Sequence, residues 1–209
     1  MMKKITELDI QKKNKHRVSV YLDDVYAFGL DILAASSLRC GQELCEDKIK
    51  ELKEKDDYSR ALNSAIRFLG ARARSINEMR LYLKGKNVSA TTIDTVIEKL
   101  IKENYLNDAE FAVLWVQNRE TFNPKGAWAL RQELRHKGIC DTDIDDALTE
   151  YDDDTAAWNA VEKKQKLWKN LDTEILKKKL YTFLGNRGFH YETANNVYHK
   201  LITEIEELS

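Results

Sequence analysis

Histidine serves both acid–base catalysis and metal binding, so His16, His136, His190 and His199 are the first residues to test for chemistry. They lie far apart with no paired spacing, and His190 and His199 flank a helix instead of sharing one of its faces. Cys40 and Cys45 have the spacing of half a metal site, but no second Cys/His pair follows at ligand spacing, and Cys140 stands alone. There is no glycine-rich phosphate loop, no HExxH and no serine elbow. Acid pairs are so common along the chain that none stands out as a catalytic dyad. The expectation is therefore a binding protein, not an enzyme, with no cofactor, no metal site and free thiols.

The side chains that do recur are basic. Arg131 and Arg135 are four apart, with Lys137 beyond them and Lys125 just before. Fifty-one positions earlier the same three places hold Arg80, Lys84 and Lys86, preceded by Arg72 and Arg74. Fifty positions later they hold Tyr181, Gly185 and Arg187, with Lys177, Lys178 and Lys179 earlier in that segment. Such a stripe on a rigid helix suits a polyanion or an acidic protein groove; its plainer reading is a solvated face. Solvation alone, however, requires no fixed register. Residues 141–154 are the opposite, with eight acids and no base. They could attract a basic partner, or cap helices and face water. Trp115, Trp128, Trp158 and Trp168 could stack on bases or serve as packing; Trp128 is the most ambiguous, since it follows Lys125 and Gly126.

The elements that position these residues form a repeat. In LRQELRHKGICDTDIDDAL the apolar positions are Leu130, Leu134, Ile139, Ile144 and Leu148. The same gapless pattern holds Met79, Leu83, Val88, Ile93 and Ile97 earlier, and Leu180, Leu184, Phe189, Ala194 and Tyr198 later. Leu130 and Leu134 share a helix face, and Gly138 is the left-handed residue just past its end, letting Ile139 fold back onto Leu134. Gly188 and Asn87 are the counterparts, with Leu184–Phe189 and Leu83–Val88 as the contact pairs. Asp141 and Asp143 then serve as cap and first-turn acids for the next helix, and Ser89 as a cap in the first copy. A further helix precedes each pair, in RALNSAIRFLGARA, EFAVLWVQNRE and TAAWNAVEKKQKLW. The unit is thus three helices, over residues 57–104, 105–153 and 154–209, with Asn123–Gly126 as a breaker inside the second.

Residues 1–56 read differently. RVSVYL alternates Val18, Val20 and Leu22, VYAFGL alternates Tyr26, Phe28 and Leu30, and Asp23-Asp24 can turn between them; ITELDI is a candidate third strand. DILAASSL and CEDKIKELKEK read as short helices. The fold class is mainly α: tandem three-helix repeats preceded by a small N-terminal β hairpin or sheet. With 33% charged residues, one proline and no long apolar run, the chain reads as a soluble protein with no membrane role. The charge-interrupted N-terminus is not a signal peptide, so the cytoplasm is the expected compartment and a monomer the expected state. Its net charge of −1 neither requires nor excludes nucleic acid.

NYLNDAEFA (104–112), NPKGAWALRQELRHKGI (123–139) and RARSINEMRLYLKGKNV (72–88) together resemble the RecX family, bacterial regulators of the RecA recombinase. The middle repeat carries the order YLxDxxFA, PKG, LRxELxxKGI. KITELDIQKKNKHRVSVYLDDVYAFGL is similar to the extension of some longer members; Asn87 departs from the glycine of many. The resemblance implies an elongated, curved array that lodges in the groove of RecA filaments on DNA. It implies inhibition of ATP hydrolysis, strand exchange and filament growth, hence a place in homologous recombination, DNA repair and the SOS response. It also implies non-specific binding to single- or double-stranded DNA. The residues matched to the family's basic blocks are Arg72, Arg74, Arg80, Lys125, Arg131, Arg135 and Lys137, with Lys84 and Lys86 completing the stripe. The rival readings are a sequence-specific helix-turn-helix DNA-binding protein and a helical-repeat adaptor that binds only protein.

Overall fold

The computed structural model describes residues 2–12, 14–168 and 171–207. It divides into two compact units: one built from the chain up to Arg72 together with Met79–Tyr105, the other from Ala73–Glu78 together with the chain from Leu106 onward.

The first unit opens with strands β1 (Met2–Ile10), β2 (Arg17–Leu22) and β3 (Val25–Asp31), the short helix α1 (Ile32–Ala35) and strand β4 (Glu43–Cys45). They form one antiparallel sheet in the order β3-β2-β1-β4, with Val20 opposite both Leu8 and Phe28. ITELDI is therefore a strand, and β4 is an edge the pattern does not reveal, since three residues carry no readable alternation. Asp23 and Asp24 both adopt positive φ, 51° and 65°, the two-residue turn that twists with its strands. The absent glycine is offset by anchoring: Asp23 N–H donates to Lys4 O (3.0 Å) and Asp24 N–H to Thr6 Oγ1 (2.9 Å). Val18, Val20, Leu22, Phe28 and Leu30 are buried as the alternation requires. Tyr26 is not; it lies at the hairpin tip, past the register shift at Val20/Tyr21, and its ring meets Tyr21 edge-on.

Helix α2 (Glu46–Leu69) corrects the expectation of a short helix over CEDKIKELKEK. No glycine or proline interrupts these 24 residues, and Glu51 ties Lys48 to Lys55 along the exposed face. Its N-terminal half supplies Leu52 to the sheet core, and its C-terminal half buries Ala61 and Ala65 as the first helix of repeat one. Arg17 grips buried Asp56 through both guanidinium nitrogens (3.0 and 2.8 Å), which fixes the sheet to α2.

Helices α3 (Ile76–Lys84) and α4 (Ala90–Lys102) follow. Repeat two is α5 (Asp108–Phe122), α6 (Ala127–His136) and α7 (Asp141–Leu148). Repeat three is α8 (Asp153–Glu162), the short α9 (Gln165–Trp168), α10 (Thr173–Gly185) and α11 (Tyr191–Glu207). Leu130, Leu134, Ile139 and Ile144 share one core with Phe111 and Val116, and Leu180, Leu184, Phe189 and Ala194 share another with Ala157 and Val161. The helix endings are as the spacing requires. Asn87, Gly138 and Gly188 have φ of 58°, 83° and 79°, and the N–H groups of Val88, Ile139 and Phe189 donate to Leu83, Leu134 and Leu184. Ser89 caps α4. At α7, however, Cys140 is the cap residue and Asp141 the first helical one: the cap falls two residues after the left-handed Gly138, as Ser89 does after Asn87.

Candidate functional site

The basic stripe is met by acids of its own chain. Arg80 pairs with Asp94 and Arg131 with Asp145, both at 2.5 Å, and Tyr181 donates to Asn195 at 2.8 Å. These three pairs occupy one repeat position, joining the second helix of each repeat to its third. Arg135 Nε donates to Asp141 (2.8 Å), which holds the Asp141 carboxyl below and the Arg135 guanidinium above their ordinary ranges. The acidic run thus contains partners of the basic stripe. A 14-residue spacing between Arg80 and Asp94, repeated at Arg131 and Asp145, was the signal in the sequence.

Lys125 and Lys137 are half-buried and hold structure. Glu133 accepts from Lys125, from Arg119 Nε (2.8 Å) and from Trp115 Nε1 (2.8 Å). Burial pushes its pKa up, but these three hydrogen bonds outweigh burial and hold it below the usual carboxylate range. Lys137 pairs with Glu78 at 2.5 Å, and its ammonium lies 4.9 Å from the centre of the Trp115 ring. Arg72 is exposed and Arg74 half-buried, both engaged by neighbouring groups. Lys84 is exposed, and Lys86 lies 5.5 Å from the Tyr82 ring centre. Of the tryptophans, Trp115, Trp158 and Trp168 pack against repeat cores, whereas Trp128 is 56% exposed on α6. Among the described residues no group of three or more His, Cys, Asp or Glu could hold a metal ion, the three cysteines are free and exposed, and no helix is long and apolar enough to cross a membrane.

A second constellation leaves no mark on residue type: the joint between repeats, present twice in the second unit. Ile76 N–H donates to Asp108 Oδ1 (2.8 Å), and Ser75 Oγ donates to Lys137 O (2.7 Å). One repeat on, Ala127 N–H donates to Asp153 Oδ1 (2.7 Å), and Gly126 N–H donates to Arg187 O (3.0 Å). In each joint the start of a second helix enters a slot made by the first-helix aspartate and the left-handed turn of the next repeat. The approach is close. A Cβ on Gly138 would meet Asn77 Cβ at 2.5 Å, one on Gly188 would meet Ala129 Cβ at 2.4 Å, and one on Gly126 would meet Gly188 O at 2.2 Å. Burial raises the pKa of Asp108 and Asp153, against the lowering effect of the N–H each accepts. The glycines of the motif thus serve packing as well as helix termination.

Four family models match in chain order. They are the Regulatory protein RecX N-terminal domain at residues 3–44 and the RecX first, second and third three-helix domains at residues 61–100, 107–148 and 152–198. Regulatory protein RecX of Bacillus subtilis (strain 168) is 36% identical over 97% of this chain and 79% of its own length. That of Listeria monocytogenes serotype 4a (strain HCC23) is 34% identical over 97% of this chain and 77% of its own. The fold is similar to a crystal structure of regulatory protein RecX, with a TM-score of 0.67 and 26% identity, covering 93% of this chain and 98% of that one. The crystal structure of RecX from Lactobacillus salivarius shares the fold at a TM-score of 0.62 and 24% identity, over 71% of this chain and 99% of that one. Sheet, repeats and sequence agree: the chain belongs to the RecX family of regulatory proteins.

Proposed function

We propose that this chain is a negative regulator of RecA: it binds the RecA–DNA filament, in its groove or at its growing end, and inhibits ATP hydrolysis, strand exchange and growth. The observation that carries this reading is that the family match runs through the sheet and all three repeats in order. The action is steric and electrostatic: repeats docked across neighbouring protomers resist the cycling that hydrolysis requires. Arg80, Arg131 and Arg135 are the proposed contacts, with Lys84, Lys86 and Arg72. The carboxylates facing the first three are exposed, and exposed ion pairs are weak enough to be exchanged for phosphates or acids of the partner. Lys125 and Lys137 pair with half-buried carboxylates, and their role is to hold the repeats; Arg74 remains with the contacts.

The neutralisation of the stripe also favours a second reading, an adaptor that binds the protein of the filament and not its DNA. Co-sedimentation with filaments, beside titration of bare oligonucleotide across salt, separates the two. A phosphate-tracking protein loses affinity for bare DNA steeply with salt, with a slope of roughly one logarithmic unit per phosphate contacted. An adaptor sediments with filaments and shows no bare-DNA binding to lose. A chain that does not sediment with filaments contradicts both readings.

A further inference from the structure

The joint between repeats has a third counterpart, in the first unit, that lies open among the described residues. Asp57 stands fifty-one positions before Asp108, in the frame that aligns buried Ala61 with Ala112 and Ala65 with Val116. Lys86 and Asn87 stand fifty-one before Lys137 and Gly138. In the first unit Asp57, Lys86 and Asn87 line one open groove of about 1260 Å³, whose far wall comes from the N-terminal sheet and α1. The carboxylates of Asp108 and Asp153 each hold the first N–H of an incoming helix. Among the described residues, the Asp57 carboxylate is met by Arg60 at 3.7 Å, with both side chains 64% exposed.

From this equivalence we infer that the groove is a docking slot for the first turn of a helix in a protein partner. The occupant follows from the two filled slots. Its leading backbone N–H groups and positive helix end meet the Asp57 carboxylate, as Ile76 meets Asp108 and Ala127 meets Asp153. Its cap residue gives a hydroxyl or a bare N–H to Lys86 O, as Ser75 and Gly126 do to Lys137 O and Arg187 O. Asn87 fills the space that Gly138 and Gly188 leave open, so the occupant carries glycine where it nears that residue. In the Gly188 joint, removing the incoming Cβ relaxes the nearest approach from 2.4 to 3.3 Å, so a Cβ in the turn then needs its neighbour to give by only a few tenths of an ångström. This chain's third repeat does not fit the description: where the incoming segments have Ser75 and Gly126, it has Leu176 inside α10. The occupant assigned here is therefore a helix of another protein, and a second copy of this chain is an outcome the test below separates. The inference rests on the proposed role at the RecA filament, whose protomers would supply the helix.

The test compares the full chain with D57R, D57N and N87G, each checked for an unchanged melting curve, on preformed RecA filaments, on bare single-stranded oligonucleotide and by light scattering alone. D57R removes the acceptor and opposes the helix end, so filament affinity should fall by at least about tenfold, the scale of one charge-assisted hydrogen bond. D57N should lose less, N87G should bind as tightly or tighter, and bare-oligonucleotide binding should not change. Wild-type filament binding that survives D57R intact overturns the slot alone, and failure of the wild type to bind filaments overturns the slot and the proposed function together. Loss of oligonucleotide binding in D57R makes nucleic acid the occupant, and wild-type self-association abolished by D57R makes it a second copy; either overturns the assignment.

Discussion

Gly126 and Gly185 show how residues of one type can differ in their demands. A Cβ on Gly126 would overlap the Gly188 backbone, whereas one on Gly185, at the end of α10, meets nothing within 4 Å. Gly126→Ala should therefore destabilise the protein by about 1–3 kcal/mol, the usual cost of overpacking. Gly185→Ala should be neutral or stabilise it by up to about 1 kcal/mol. Urea denaturation of both variants checks the contrast, and equal effects would contradict it. Arg131 and Arg135 are tested with alanine, because glutamate there would face Asp145 and Asp141 and strain α6 against α7. R131A/R135A should keep its melting temperature and lose affinity for filaments; full retention of filament binding would remove these arginines from the interface.

At the scale of elements, repeat two is held by Glu133 with Lys125, Arg119 and Trp115. Its depressed folded-state pKa adds stability that is fully present above the ordinary value of 4.5 and is lost as pH falls through the folded value. Glu133→Gln should cost about 1–3 kcal/mol at neutral pH, since two cations lose their charged partner. It should also reduce the steepness of acid unfolding below about pH 4.5, measured by circular dichroism. The repeat was legible because apolar spacing and a left-handed residue after each second helix are local signals. Leu134, Gly138 and Ile139 announce a helix, its end and its fold-back within six positions. The fusion of two expected helices into α2 was not legible, because the change from sheet-facing Leu52 to repeat-facing Ala61 alters the buried face without breaking the helix. Nor were the joints. A backbone N–H meeting Asp108 or Asp153 leaves no mark on residue type, and only the frame uniting Asp57, Asp108 and Asp153 points to it. The stripe and its acids are both plain in the sequence, but their pairing across helices depends on the angle between α6 and α7.

Across the whole molecule, charge that holds the repeats is distinct from the charge and polar groups proposed to meet a partner. The exposed arginine pairs belong to α3, α6 and their following helices; the groove at Asp57 belongs to the first unit, beside the sheet. The proposed activity is inhibition of RecA. The most direct measurement is RecA's DNA-dependent ATP hydrolysis, with this protein titrated into preformed filaments on single-stranded DNA and an oligonucleotide-competition control alongside. Hydrolysis should fall in a dose-dependent way. A fall well below stoichiometric amounts would point to action at filament ends, and one near saturation to occupancy of the groove. Hydrolysis unchanged at saturating protein, with the control behaving normally, would contradict the account.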